Sequence, residues 1–303
     1  MPRLTVGLPA YNSERFLRET LDSILNQTFD DFTLVVSDNG STDSTEEICR
    51  EYANHDARVV YLRHEINRGA AWNFNQVFTH CNTPYFRWAA ADDVFAPTCF
   101  ARCAEVMDAA SSSVALCYPK TLAIDEDGAP IGEYEDDLDL RSPNPHARIR
   151  RIVRSIVQGN PLFGLVRSAS LRATRGHGSF PGADYVLLSE IALGGEIWEI
   201  PERLFKRRMH GARSRLLNPA PEQYTLWLDP TAQPVQHEQL RLLREYLAGV
   251  RYASLPPVER VECYAAVMSA WTRRYGSIRH PLRRLRIAAH RRAIGQSGLR
   301  IRA

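Results

Sequence analysis

Lysine is nearly absent: two of the 38 basic residues, Lys120 and Lys206, are not arginine, a bias that looks like codon usage in a GC-rich genome. No apolar run approaches the roughly 18 residues that a membrane-spanning helix needs, so no transmembrane segment is expected. The first apolar run begins almost at Met1, which leaves no room for a secretory leader and makes a cytoplasmic protein the expectation. Cys49, Cys81, Cys99, Cys103, Cys117 and Cys263 lack the paired spacings of a zinc site or a disulfide framework. Reduced thiols follow, with Cys99 and Cys103 read as helix packing. No glycine-rich basic loop follows the first run, so the usual phosphate cradle is excluded. Internal repeats and low-complexity tracts are also missing. Acid disappears from residues 272–303, which hold ten arginines and no Asp or Glu.

What is present suits a soluble globular chain. With 303 residues, 44% hydrophobic and 24% charged, it can build one large domain, or one domain and an appendage. A formal charge of +3 says little by itself; the excess sits in the C-terminal arginines.

The hydrophobic pattern alternates between periods of two and 3.6. Leu4 to Leu8 reads as a buried strand, and a helix starting at Ser13 or Glu14 places Phe16, Leu17, Leu21, Ile24 and Leu25 on one face. Phe32 to Ser37 is a second strand, and Ser41 or Thr42 caps a helix over Asp43 to Tyr52. A third strand (Val59 to Arg63), a helix (Ala70 to His80), a fourth strand (Tyr85 to Ala89) and a helix from Pro97 to about Met107 follow. Four such alternations predict an α/β fold with a doubly wound, mostly parallel sheet flanked by helices. Further on, strands are expected at Val114 to Ala123, Ile131 to Tyr134, Phe163 to Val166 and Ile197 to Phe205. Helices are expected at His146 to Val157 and Asp184 to Leu193, and throughout most of the chain beyond Pro219 to about Ile294. The acidic run Glu133 to Asp139 reads as a solvated loop or a cation site.

In such sheets ligands collect at the carboxyl ends of the strands. Tyr11 and Asp38 arrive at that edge, an aromatic face and a carboxylate that could hold a nucleobase. Asp92 and Asp93 close the fourth strand on the same edge, where carboxylates suit a hard divalent cation bridging a diphosphate. As bland alternatives, Pro9 and Asn12 shape a turn, Asp38 caps a helix, Arg68 is a surface charge and Asp184 is a helix N-cap after Pro181-Gly182.

The ordered series Val6-Gly7-Leu8-Pro9-Ala10-Tyr11-Asn12, Gln27, Ser37-Asp38-Asn39-Gly40-Ser41-Thr42-Asp43, Asn67-Arg68-Gly69, Asn73 and Ala91-Asp92-Asp93 resembles family 2 glycosyltransferases over about residues 1–215. The resemblance implies a GT-A (Rossmann-like) fold and an inverting, hexosyltransferase-like enzyme that uses a nucleotide-sugar with Mn2+ or Mg2+. It implies that Pro9, Ala10 and Tyr11 line the base pocket, that Asn12 and Glu14 belong to the nucleotide-sugar site, and that Asp38 accepts from the base. Asn67 and Arg68 would flank base or phosphate, and Ala91 and Asp92 the diphosphate. Asp92 and His210 match metal positions, Asp184 the catalytic base, and Asn160 to Arg167 the border of the acceptor site, with Gly164 and Arg167 as candidate contacts. Arg207, Arg208 and Arg213 could neutralise diphosphate, against a reading of at least two of them as solvated surface arginines. Two acids usual in the family are replaced, by Ala90 and Ala183. The first replacement bears on ribose recognition and the nucleotide's identity.

The resemblance predicts a domain over 1–215 and a helical C-terminal extension over 216–303 with a basic tail. Arg273 to Arg292, with Ile278, Leu282, Leu285 and Ala289 at helical spacing, is a candidate interfacial helix for the inner face of a membrane, a domain cap, or one side of a homodimer. No aromatic interleaving accompanies the arginines, so nucleic acid is not an expected partner. The expected partners are a nucleotide-sugar donor and a carbohydrate or lipid-linked acceptor, in polysaccharide, glycolipid or other glycoconjugate assembly. The rival readings are a non-catalytic nucleotide-sugar-binding subunit, favoured by Ala90 and Ala183, and a nucleotidyltransferase on a related sheet.

Overall fold

Four neighbouring strands, all parallel, carry the N-terminal half. A computed structural model describes residues 2–233 and 237–275. The half comprises β1 (Leu4–Ala10), α1 (Glu14–Leu25), β2 (Phe32–Asp38), α2 (Thr45–His55), β3 (Val59–Arg63), α3 (Ala70–Thr79) and β4 (Tyr85–Trp88). Because β1 is covered on both faces, it is apolar and buried almost throughout. In α1, Leu17, Leu21 and Ile24 are fully buried, each worth about 2 kcal/mol of apolar transfer, while the opposite face stays charged.

The sheet then changes character. β5 (Val94–Phe95), α4 (Cys99–Ala109), β6 (Val114–Ile124), β7 (Pro130–Tyr134), α5 (Pro145–Ser155), a 3-10 turn (Asn160–Phe163), β8 (Leu165–Arg167), α6 (Ser168–Arg172), α7 (Ala183–Gly194) and β9 (Glu196–Arg208) complete nine strands in order β3-β2-β1-β4-β8-β6-β9-β5, with β7 on β6. β6 and β9 are parallel, whereas β8 runs antiparallel to both neighbours. α8 (Ser214–Leu217), α9 (Pro221–Leu228), α10 (Glu238–Tyr252) and α11 (Pro257–Tyr275) follow.

Helices cover both faces of the sheet. One core joins it to α1, α2 and α4 through Leu17, Ile48, Phe100 and Met107, and a second joins it to α3, α5 and α7 through Val77, Ile152 and Leu188. A third core continues outward: Ile149 and Val153 of α5 and Val186 of α7 pack with Leu242 and Tyr246 of α10 and Cys263 and Val267 of α11. The described part of the segment after residue 215 thus shares its core with the helices before it.

Boundaries differ from the sequence reading at several elements, α2, β8 and β9 among them. α2 starts at Thr45, because Asp43 keeps the loop open by accepting from the Thr45 and Glu14 amides. Phe163 ends the 3-10 turn, so β8 begins at Leu165. β9 continues past Phe205 to Arg208, which carries two arginines to the strand's end. No helix among the described residues is long and apolar enough to cross a membrane. The proposed interfacial segment lies, from residue 276 on, outside them.

Candidate active site

The strand order reverses between β1 and β4, and the crevice at their carboxyl ends is the expected ligand position of an open α/β sheet. Pro9 is half-buried, Ala10 buried and Tyr11 exposed (42%), its ring free of the core. Asn12 takes a left-handed backbone (φ 47°). Its side-chain oxygen accepts from the Thr42 amide (2.8 Å), and its own amide donates to Ser41 Oγ (2.9 Å). The Glu14 carboxylate accepts from the Ser44 amide (2.9 Å), while the Glu14 amide donates to Asp43 (3.1 Å). Asn12 and Glu14 therefore tie the loop after β1 to the loop after β2.

Asp38 stands at the predicted edge but faces inward, with no solvent exposure. Its carboxylate accepts from the Ser41 amide (2.9 Å) and the Tyr61 hydroxyl (2.8 Å), with the Arg63 guanidinium 3.4 Å away. Burial, and then the Asp38 carboxylate, push the Tyr61 phenol far above its ordinary range, so it remains a donor. Asn39 holds the next turn: its side chain donates to Asn67 Oδ1 (2.8 Å) and the Gly69 carbonyl (3.1 Å) and accepts from the Arg68 amide (3.0 Å). The Arg68 guanidinium lies 4.9 Å over the Trp72 ring, a cation–π contact that fixes it at the turn. Asn73, at the start of α3, donates to the carbonyls of Ala10 (3.2 Å) and Ser37 (2.9 Å), joining the ends of β1 and β2.

Beyond β4 the half-exposed Ala91 and Asp92 precede the buried Asp93. The two-residue β5 pairs antiparallel with β9, Val94 opposite Lys206, and this register sets residues 92–93 beside 207–210. The Asp92 carboxylate and His210 Nε2 meet at 2.9 Å, bringing together the two sequence-predicted metal residues. The His210 ring packs edge-on to Phe16 at 4.9 Å, and its Nδ1 is buried with no hydrogen-bond partner. Asp93 accepts from the Arg208 amide (2.8 Å); burial, with Asp92 adding, pushes its carboxyl well above the usual range.

Among the described residues no group of three or more His, Cys, Asp or Glu could hold a metal by itself. Asp92 and His210 nevertheless fit one. Two neighbouring ligands of an octahedral Mg2+-like ion at about 2.1 Å stand about 3.0 Å apart, and such ions keep water and substrate phosphates as their other ligands. The 2.9 Å pair, with Asp92 34% exposed, has the spacing and openness of that arrangement.

The three arginines divide. Arg208 is fully buried and bonds the carbonyls of Asp92, Asp125 and Glu126 and the Glu19 carboxylate, so it is a framework residue with no path to a ligand. Arg213 is held by the His210 carbonyl (3.3 Å) and Met209 Sδ (3.2 Å). Arg207 donates to Asn160 Oδ1 (2.5 Å) and Gln158 Oε1 (3.0 Å), and Asp93 and Asp92 contribute to raising its affinity for its proton against the burial that lowers it.

Asp184 sits in the first turn of α7 with its carboxylate against Gly159. Ala183 before it is buried in the third core, so the missing acid would meet apolar walls. Arg167 lies elsewhere: it pairs in register with Tyr85 at the start of β4, the opposite edge, and donates to the carbonyls of Met107 and Val114. Arg167 is therefore not an acceptor contact in this arrangement. Gly164 packs on the Cys117 carbonyl.

Much of the acidic run is the expected solvated loop: residues 135–139 follow β7 as irregular chain, and Glu133, Asp137 and Asp139 are exposed. Glu133 and Glu135 pair with Arg203, Glu135 also with Lys120, Asp137 with Arg151 and Asp139 with Arg141. Asp136 turns inward and accepts from Asn160 Nδ2 (2.9 and 3.2 Å). It belongs to the site through Asn160 and Arg207, and the sequence reading missed it. A signal was available: Tyr134, Leu138 and Leu140 are buried at period two, the set that includes 136.

The chain matches Glycosyl transferase family 2 over residues 5–157. It is 37% identical over 91 residues to the glycosyltransferase GlyA of Streptococcus pneumoniae, covering 30% of this chain and 13% of that one. With an uncharacterised glycosyltransferase of Haemophilus influenzae it shares 24% identity over 246 residues, 79% of this chain and 73% of that one. The fold resembles that of S. aureus TarS 1–349 in complex with UDP-GlcNAc, with a TM-score of 0.64 at 17% identity over 90% of this chain and 73% of that one. The α/β architecture is that of the GT-A enzymes.

Proposed function

From the premise that this chain belongs to glycosyl transferase family 2, we propose that it moves a sugar from a nucleoside-diphosphate donor to a hydroxyl acceptor, with inversion. The observation that carries the reading is the meeting of Asp92 and His210 at the sheet's switch point, with Asp184 reached through Arg207, Gln158 and Gly159.

The donor's base would lie on Tyr11, between Pro9 and Ala10. Asp38, Asn12 and Glu14 would act from beneath by fixing the loops that shape the pocket, and Arg68, braced on Trp72 beside Asn67, would face the phosphates. Asp92 and His210 are the residues that would hold Mn2+ or Mg2+. When bound, the cation supplies positive charge against the leaving diphosphate. Asp184 takes the acceptor's proton as its oxygen attacks the anomeric carbon on the face away from the diphosphate. A nucleotidyltransferase would need a phosphate-cradling glycine loop after β1, and that loop here is Tyr11-Asn12-Ser13. An acceptor of polysaccharide, glycolipid or other glycoconjugate type fits the family.

Thermal denaturation with UDP, GDP and dTDP and their sugar conjugates, with and without Mn2+, tests the donor site. TarS was solved with UDP-GlcNAc, so uridine nucleotides come first. A ligand at 100 times its dissociation constant stabilises the folded state by about 2.7 kcal/mol. Metal-dependent stabilisation by one nucleotide supports the reading. No stabilisation by any of them counts against a donor site.

A further inference from the structure

α11 is apolar on two faces. The inner one, Cys263, Ala266, Val267 and Ala270, is buried in the third core. On the outer one Val258 is 71% exposed, Val261 67% and Met268 43%, with Ala265 exposed between them. Their spacing of three, four and three residues sets all four on a single stripe. Single exposed apolar residues need no explanation. A continuous stripe does, because a helix on a protein surface ordinarily turns polar residues outward, and one that is apolar all round is ordinarily covered all round. The helix is also braced: Arg274 in its last turn donates to the carbonyls of Val153 (2.9 Å) and Ile156 (2.6 Å) at the end of α5.

The charges beside the stripe indicate what covers it. Glu262 and Arg273 are eleven residues apart, about three turns, and so stand on the same flank. Both are exposed, although Glu262 also holds His146 Nδ1 at 3.0 Å. About a two-fold axis, an antiparallel copy of the helix keeps each flank on its own side. A flank with an acid near one end and a base near the other then meets its own complement, Glu262 of each subunit facing Arg273 of the partner subunit. That register puts the axis close to Met268, so Met268 of each copy lies over Ala265 of the other. The small side chain at 265 allows the helices to approach to about 8 Å. The opposed directions also set the two helix dipoles antiparallel. An anionic lipid surface would gain from Arg273 and lose from Glu262, whereas a second copy uses both.

We propose that the outer face of α11 is a homodimer interface, in which the helices of two copies of this chain pack antiparallel about a two-fold axis. The proposal is independent of the donor and base assignments. A single pair of helices makes a small interface, so the dimer is reversible and its population follows protein concentration.

Sedimentation velocity of the full-length chain, over a wide range of concentration, tests this, with circular dichroism showing that each variant is folded. The wild type should pass from monomer to dimer as concentration rises. Val261→Glu and Ala265→Glu, which bring like charges together on the stripe, should weaken the dimer at least about a hundredfold. Glu262→Arg and Arg273→Glu each break both symmetric pairs and should weaken it about tenfold; the two combined should return it to near the wild-type value. A wild type that stays monomeric throughout overturns the proposal. So does a dimer that Val261→Glu and Ala265→Glu leave intact, since the contact then lies elsewhere. A dimer broken by those two variants but not restored by the paired charge reversal overturns the antiparallel register. A monomer that pellets with vesicles containing anionic lipid, and fails to do so as Val261→Glu, gives the face to a membrane and overturns the dimer.

Discussion

The Asp184 carboxylate lies directly against Gly159, so that a methyl group at 159 would occupy the space of Asp184 Oδ2. Gly159 has an ordinary backbone (φ −88°), and the requirement is one of space alone. Gly159→Ala should therefore cost a modest 1–3 kcal/mol of overpacking while displacing the carboxylate. Transfer should fall at least about tenfold with nucleotide affinity unchanged, by calorimetry beside a product assay. Full activity in Gly159→Ala would show that the position of Asp184 is not critical.

Removing the proposed base is the stronger test. Asp184→Asn keeps the shape of the side chain and its capacity to accept one hydrogen bond. A general base contributes about 10²–10⁴-fold, so nucleoside diphosphate release driven by acceptor should drop by that factor. If the variant still transfers sugar at the wild-type rate, Asp184 serves only the start of α7.

Asp92 and His210 are 118 residues apart in sequence and 2.9 Å apart in space. His210→Ala should weaken Mn2+-dependent nucleotide binding by about 10-fold or more, the scale seen for groups that support a metal. Binding in EDTA should be equally weak in wild type and variant. A His210→Ala protein that keeps wild-type affinity in Mn2+ removes the histidine from the metal reading.

The N-terminal half of this fold was legible because β1, β2 and β4 are short, nearly continuous buried runs, while its helices bury one face at a period of 3.6. The pairing that brings Asp92 to His210 was not. β5 has two residues, too few to show any period, yet its register with β9 sets Asp92 beside His210. Asp38 was correctly placed at the edge. Its inward turn depends on Tyr61 and Arg63 from β3, partners that only the parallel register of β2 and β3 supplies. Arg208 and Arg207 are adjacent and chemically identical, and strand alternation sends one into the framework and the other to Asn160. Asp136 was hidden by its neighbours' charge, since five of the seven residues from Glu133 to Asp139 are acidic.

Arg208 carries a prediction for stability. Its side chain is fully buried and bonds three carbonyls and the Glu19 carboxylate, while the guanidinium lies 4.7 Å over Phe16. Arg208→Met fills much of the stem's volume but strips those acceptors of their donor. The variant should lose about 3 kcal/mol, read from the urea midpoint, as when one partner of a buried ionic network is deleted. A loss under about 1 kcal/mol would mean that water replaces the guanidinium at little cost.

Asp136 carries the prediction for pH. Its carboxyl is pushed up to about 7 chiefly by burial, with Glu199 adding to the rise, while Asn160, Arg207 and Thr121 pull it down. In the unfolded chain an aspartate releases its proton near pH 4, about three units lower. Between those values the folded state binds the extra proton, so stability falls as pH rises through the window, by at most about 1.4 kcal/mol per pH unit, and the loss is complete above about 7. In the Asp136→Asn variant the side-chain amide does not titrate, and its oxygen could still accept from Asn160. The melting temperature of that variant should therefore climb relative to wild type from about pH 5 to about pH 8, with most of the change below 7. Parallel melting curves across that range would show that Asp136 is already ionised at pH 5, and that Arg207, through Asn160, holds its charge in place.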